Sequence, residues 1–136
     1  RGLICGLTLD VTGAHLVRAA LESVAFQTLD LTAAMASDGA RRAAAIRVDG
    51  GMAANDWFCQ FLADMVDAPV ERPTELETTA LGAAFLAGLA TGVWADLKAV
   101  AATWASGAVF RPTMASARRD GLVAGWKTAV RRTLVG

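Results

Sequence analysis

The residues of this chain with the clearest chemical potential stand together in the run Asp49-Gly50-Gly51-Met52-Ala53-Ala54-Asn55. Glycines at the carboxyl end of a strand let backbone N–H groups approach a phosphate or a ribose, and a helix opening just beyond adds the positive end of its dipole. Nucleotide binding is the chemistry such a turn could perform. The same residues also read as an ordinary strand-to-helix turn or, since Asp-Gly favours tight connections, as a hairpin. Helical spacing after Asn55 argues against the hairpin. On spacing alone the plain turn outweighs the nucleotide site, because short glycine motifs are frequent by chance. The run is neither a P-loop, which ends in Gly-Lys-Ser/Thr, nor the three-glycine dinucleotide fingerprint.

Other reactive residue types stand apart from one another. His15 is the only histidine, and its place just inside a helix start fits a cap or packing role better than general-base work. Cys59 falls within an apolar helical pattern and reads as core rather than nucleophile. Cys5 lies far from it, and neither has a second Cys or His at metal-ligand spacing, so both read as reduced, packed thiols of a cytoplasmic protein. Asp49, Asp56, Asp64, Glu75 and Glu77 include possible proton acceptors or metal ligands, but spacing brings no two of them together. Asp56 and Glu77 suit helix N-termini, as do Thr78 and Thr79.

The elements that must position the glycine turn follow from periodicity. Val17, Leu21, Val24, Thr28, Leu31 and Met35 recur at steps of four and three, predicting a helix from about Ala14 to Ala36 with Arg18 and Glu22 paired beside its stripe. Ala43 to Val48 is a short segment cut off by Asp49-Gly50-Gly51 and reads as a strand. Phe58, Phe61, Leu62 and Met65 then mark a helix from about Asn55 to Val66. Ala68 to Pro73 is extended because its prolines disfavour the α region, and it reads as a short strand or an edge. Glu77 to Gly88 is apolar on every side, as for a helix buried between a sheet and other helices, with Gly82 and Gly88 allowing close backbone approach. Asp96 to Trp104 and Ser116 to Arg132 are further helices, and Leu3 to Leu7 is compatible with a strand.

Composition sets the class. The chain has 136 residues, 54% of them hydrophobic and 19% charged, which fits one packed α/β domain and not a disordered chain. Thirteen basic residues balance thirteen acidic ones, so no net field favours nucleic acid or an anionic membrane. The most apolar stretch, Thr78 to Trp94, is interrupted by glycines and threonines and is too short for membrane insertion. The first residue is Arg1 rather than Met, and the expectation is a piece of a longer protein.

Longer motifs carry a resemblance. Gly2-Leu3-Ile4-Cys5-Gly6-Leu7, then His15-Leu16, then Ala19-Ala20-Leu21-Glu22, fit the second signature pattern of the FGGY carbohydrate kinases. Glu22 to Gln27, Arg47-Val48-Asp49-Gly50-Gly51, Glu77 to Ala84 and Ala124 to Val130 follow in order and resemble the branch of that family that phosphorylates glycerol. The resemblance implies an actin-like, ribonuclease-H-like ATPase fold, helix-rich with short strands, of which residues 1–136 would form the later, nucleotide-binding part of the second domain. It implies that Gly51 contacts the nucleotide, that Asn55 contacts adenine and that Gly50 shapes the same loop. The family's catalytic aspartate and phosphate loop match nothing here, so no catalytic residue and no metal ligand is assigned to this chain. Thr8-Leu9-Asp10-Val11 departs from the family's Arg-Gly-Thr-like run, and Met52 replaces a more usual alanine. The implied whole enzyme uses ATP, giving ADP, with Mg2+ and glycerol, and forms a cytoplasmic homo-oligomer, the chain by itself being inactive. Another sugar or polyol kinase of the family, or a non-catalytic nucleotide-binding or assembly module, are the alternatives.

Overall fold

The computed structural model describes residues 2–134. Its longest element, α1 (Gly13–Ser37), opens at the extended residue Thr12. The Thr12 backbone N–H donates to His15 Nδ1 at 3.1 Å, so the single histidine caps the helix. The Arg18–Glu22 pair forms at 2.7 Å. Only the middle of the predicted stripe is covered: Leu21, Val24 and Thr28 are half-buried, Val17, Leu31 and Met35 stay exposed, and the fully buried residues, Ala25 and Phe26, lie beside the stripe rather than on it. The reason is length, since 25 residues of α1 run about 37 Å across a partner helix less than half as long.

That partner belongs to a strand-helix-strand unit. β1 (Ile46–Arg47) leads through the glycine turn into α2 (Asp56–Val66), and β2 (Val70–Pro73) returns parallel to β1, pairing Ile46 with Val70 and Arg47 with Glu71. α2 packs on α1 on one side and on the sheet on the other. It therefore buries Phe58, Cys59, Phe61, Leu62, Met65 and Val66, each large side chain contributing about 1.5–3 kcal/mol. Phe26 of α1 meets Phe61 edge-on, with centroids 5.8 Å apart. After α3 (Thr78–Thr91) and the short α4 (Leu97–Ala101), β3 (Ser106–Phe110) pairs antiparallel to β2, and α5 (Ser116–Leu134) follows. Trp126 of α5 stacks on Phe26 at 5.3 Å and donates its indole N–H to Asp30 at 2.7 Å.

The structure departs from the expectations in several places. Leu3 to Leu7 forms no strand among the described residues, because no neighbouring strand offers it a ladder, and Cys5 within it is exposed rather than packed. Of the two readings of Ala68 to Pro73, the short strand holds as Val70–Pro73 and the edge does not: the order is β1-β2-β3, and Pro73 sits where the register with β3 already breaks. β3 itself went unread. Gly107 is required there, since a Cβ would come within 2.9 Å of the Pro73 carbonyl oxygen. Finally, α3 buries Gly88 alone, and Leu86 is 69% exposed. Gly88 does admit Trp94 closely, 2.6 Å from where a Cβ would stand, whereas Gly82 faces open space.

The buried carboxylate of Asp64 on α2 holds the approach to α5, accepting from Thr113 N at 2.6 Å, Met114 N at 3.0 Å and Gln60 Nε2 at 3.2 Å. One turn on, α2 ends at Asp67, the only non-glycine residue with positive φ (52°) among those described. Arg119 and Arg42 reach its carboxylate at 2.8 and 3.3 Å. Hydrogen bonds from Arg119 and then Arg42 hold the Asp67 pKa below its ordinary 3.8. A carboxyl whose pKa falls on folding stabilises the fold fully above the unfolded value, and that contribution is lost as pH falls through the lower folded value. We expect the melting temperature of the chain to drop below about pH 4, with a shallower acid limb in Asp67→Asn when unfolding is followed by circular dichroism.

Candidate nucleotide site

The site forms where β1 ends. Val48 N still bonds the Glu71 carbonyl at 3.0 Å, but at Gly50 the chain turns with φ 77° and ψ 176°, a conformation open essentially to glycine alone. The Gly50 N–H donates to the Leu76 carbonyl at 3.1 Å, and its own carbonyl accepts from Ala53 N at 3.0 Å, starting the 3-10 turn Gly51–Ala54. Gly51 differs from its neighbour. Its φ is not positive, and a Cβ built on it would meet nothing within 4 Å. The turn's geometry therefore explains Gly50 but leaves the absence of a side chain at Gly51 unexplained by the fold, with open space above its backbone.

At the far side of the turn, Asn55 caps α2. Its Oδ1 accepts from Phe58 N at 3.1 Å, which satisfies one of the helix's unpaired donors. The side chain is exposed, and its amide nitrogen donates to no group among the described residues, leaving its two N–H donors free at the start of α2. Asp56 lies in the first turn of α2, as expected of an acid near a helix N-terminus.

Two further contacts fix the turn from below and were not visible in the sequence. Arg72 of β2 donates from Nη1 to the Ala53 carbonyl at 2.9 Å and to Asp56 Oδ1 at 2.6 Å. The Cys59 thiol donates to the same carbonyl at 3.3 Å. Burial pushes the Cys59 pKa up, the Arg72 cation opposes this, and the Asp56 charge adds to it, so this sulfur is a protonated hydrogen-bond donor and not a nucleophile. On the other flank the Thr78 hydroxyl donates to Asp49 Oδ2. Nothing local signals either contact, since 19 residues separate Ala53 from Arg72 and 29 separate Asp49 from Thr78.

Of the acids weighed from sequence, Asp49 thus meets Thr78 at the turn, Asp56 pairs with Arg72, and Asp64 serves the fold. Glu75 accepts from Glu77 N at 3.0 Å. Among the described residues, no three His, Cys, Asp or Glu side chains stand close enough to hold a metal ion. The site offers backbone and amide donors around open space, suited to a ligand held by hydrogen bonds and close backbone approach rather than to bond-making by a side chain.

Known proteins resemble this chain over nearly its whole length. Residues 1–91 match the C-terminal domain of the FGGY family of carbohydrate kinases. The chain is 61% identical over 134 residues to a glycerol kinase of Gluconobacter oxydans, covering 98% of this chain and 26% of that protein. It is 52% identical to glycerol kinase 1 of Clostridium tetani, covering 98% of this chain and 27% of that protein. Among solved structures it superposes on Plasmodium falciparum glycerol kinase with ADP at a TM-score of 0.79 and 37% identity, covering 97% of this chain and 26% of that one. For xylulose kinase from Lactobacillus acidophilus the TM-score is 0.75 at 26% identity, covering 100% of this chain and 28% of that one. The chain spans about a quarter of the length of the relatives it matches. Its helices and small sheet are part of the actin-like, ribonuclease-H-like architecture of these kinases. By motif order, family match and superposition alike, the chain belongs to the FGGY family of carbohydrate kinases.

Proposed function

We propose that this chain provides the nucleotide-holding part of an ATP-dependent glycerol kinase, the later portion of its second domain, in an enzyme that moves the γ-phosphoryl group of ATP to glycerol and yields glycerol 3-phosphate. The observation that carries the reading is Gly51, a glycine that its turn does not require, with open space over its backbone. In this reading the backbone at Gly51 lies against the nucleotide, Gly50 sets the direction of the loop, and the free amide of Asn55 donates to adenine. The solved Plasmodium relative carries ADP. Phosphoryl transfer depends mostly on positioning and charge stabilisation, so residues that hold the nucleotide act on rate without entering the bond chemistry. The described residues do not form a magnesium cage, and no step assigned to this chain runs through the metal. Identity of 50–61% to glycerol kinases against 26% to xylulose kinase favours glycerol as acceptor over another polyol or sugar. Family membership extends the reading to self-association and to a cytoplasmic site of action; no helix of the described residues is long and apolar enough to cross a membrane.

The test is a chimera in which this chain replaces the matched 134 residues of the Gluconobacter oxydans protein. The chimera should turn over roughly 1–100 times per second with ATP, Mg2+ and glycerol, while the chain by itself should show no glycerol-dependent ADP release. Asn55→Asp isolates the amide. Asp caps a helix as well as Asn does, so the melting temperature should hold while the KM for ATP rises about fivefold, the equivalent of one lost hydrogen bond. An unchanged ATP dependence, or a rise in the glycerol KM instead, would remove Asn55 from the nucleotide site.

A further inference from the structure

We propose that Asp49 and Thr78 form a positioning latch for the nucleotide, which ties the glycine turn to the first turn of α3; the inference rests on the nucleotide reading of that turn. The latch has two adjacent bonds. The Thr78 hydroxyl donates to Asp49 Oδ2, and the next residue along, Gly50, donates its N–H to the Leu76 carbonyl at 3.1 Å. Both join the end of β1 to the segment entering α3. Together with the positive φ of Gly50 they fix the direction in which Gly51 leaves the strand. Arg72 and Cys59 hold the exit of the same turn through the Ala53 carbonyl. The turn is thus clamped at entry and exit, with exposed Gly51 and Met52 between the clamps.

The packing of α3 makes the entry clamp matter. The only buried residue of α3 is Gly88, more than two turns from Thr78. The first turn of α3 buries no side chain and Leu76, just before it, packs against the core, so the hydrogen bonds at Asp49 and Gly50 act with that contact to set the distance between the helix start and the turn. Thr78 is the first helical residue, and a hydroxyl-to-carboxylate bond is charge-assisted and directional. Neighbouring charges are engaged elsewhere: Arg47 pairs with Glu71 at 3.2 Å and lies 4.0 Å over Trp104, and Glu75 accepts from Glu77 N. Asp49 accordingly acts through the turn and not on the reacting atoms.

ADP titrated calorimetrically into the chimera and its Asp49→Ala, Thr78→Val, double and Thr78→Ser variants, alongside melting curves, tests the latch. Each single loss should weaken ADP about fivefold. The double variant should lose little more than either single, as expected of partners in one contact. Thr78→Ser should restore binding, and the KM for glycerol should stay near the parent value. Should Asp49→Ala fail to fold, Thr78→Val carries the test, since valine matches threonine in shape and lacks only the hydroxyl. Parental ADP affinity in folded Thr78→Val, or additive losses in the double variant, would overturn the latch. If Gly51→Val weakens ADP while the latch variants do not, the latch fails and the nucleotide reading stands; if none of them weakens ADP, both fall.

Discussion

Gly51→Val in the chimera is expected to leave a folded protein that has lost ADP. The structure separates two glycines that look equivalent in sequence. Gly50 needs its positive φ, so a side chain there strains the turn by about 1–3 kcal/mol. Gly51 has an ordinary backbone and an empty neighbourhood, so valine costs the fold little and occupies instead the space assigned to the nucleotide. Forcing a side chain into space filled by a bound group costs about 1–3 kcal/mol, so ADP affinity should fall by about tenfold to a hundredfold while the glycerol KM and the melting temperature hold. Gly50→Val should show the reverse order, with melting affected first. Calorimetric titration with ADP beside a melting curve decides the matter. Parental ADP affinity in folded Gly51→Val would refute the nucleotide role of the turn.

Asp64→Ala should be strongly destabilising. Its Oδ1 satisfies two backbone N–H groups, of Thr113 and Met114, at the entry to α5. Truncation leaves both donors unpaired in a partly buried place and empties space in α2, a loss of about 2–5 kcal/mol. In a chain of this size the melting temperature should fall by about 10 °C or more. Asp64→Asn keeps an acceptor oxygen in the same position and should lose less than half as much. If alanine and asparagine proved equally mild, the carboxylate would not be what fastens α5 to α2.

Local signals were legible and distant ones were not. The run of α2 could be read because its 3.6-residue apolar period and its first residues are contiguous, whereas the cap that Asn55 makes on Phe58 N emerges only from the structure. His15 was legible at a helix start because its partner, Thr12, lies three residues away. β3 was missed because Ser106–Phe110 contains a glycine and acquires its identity only by pairing with Val70–Pro73, far away in sequence. The burial expected of α3 failed in a different way: hydropathy reports what a segment is able to bury, and α3 meets little of this chain that would cover it. In the candidate site the glycines stood out by composition. Arg72 and the Asp49–Thr78 contact did not, since an arginine in a strand and a threonine at a helix start have ordinary explanations until the fold brings them to the turn.

The thiol beneath the turn turns the two cysteines into different reagents. Cys5 is exposed and Cys59 is buried with its proton held toward the Ala53 carbonyl. A maleimide should therefore label Cys5 at once and Cys59 only when the core around it opens, so the slow phase of alkylation clocks that opening. The protein thus carries its own kinetic probe one hydrogen bond from the glycine turn, with no need of a dye, a tag or a catalytic assay.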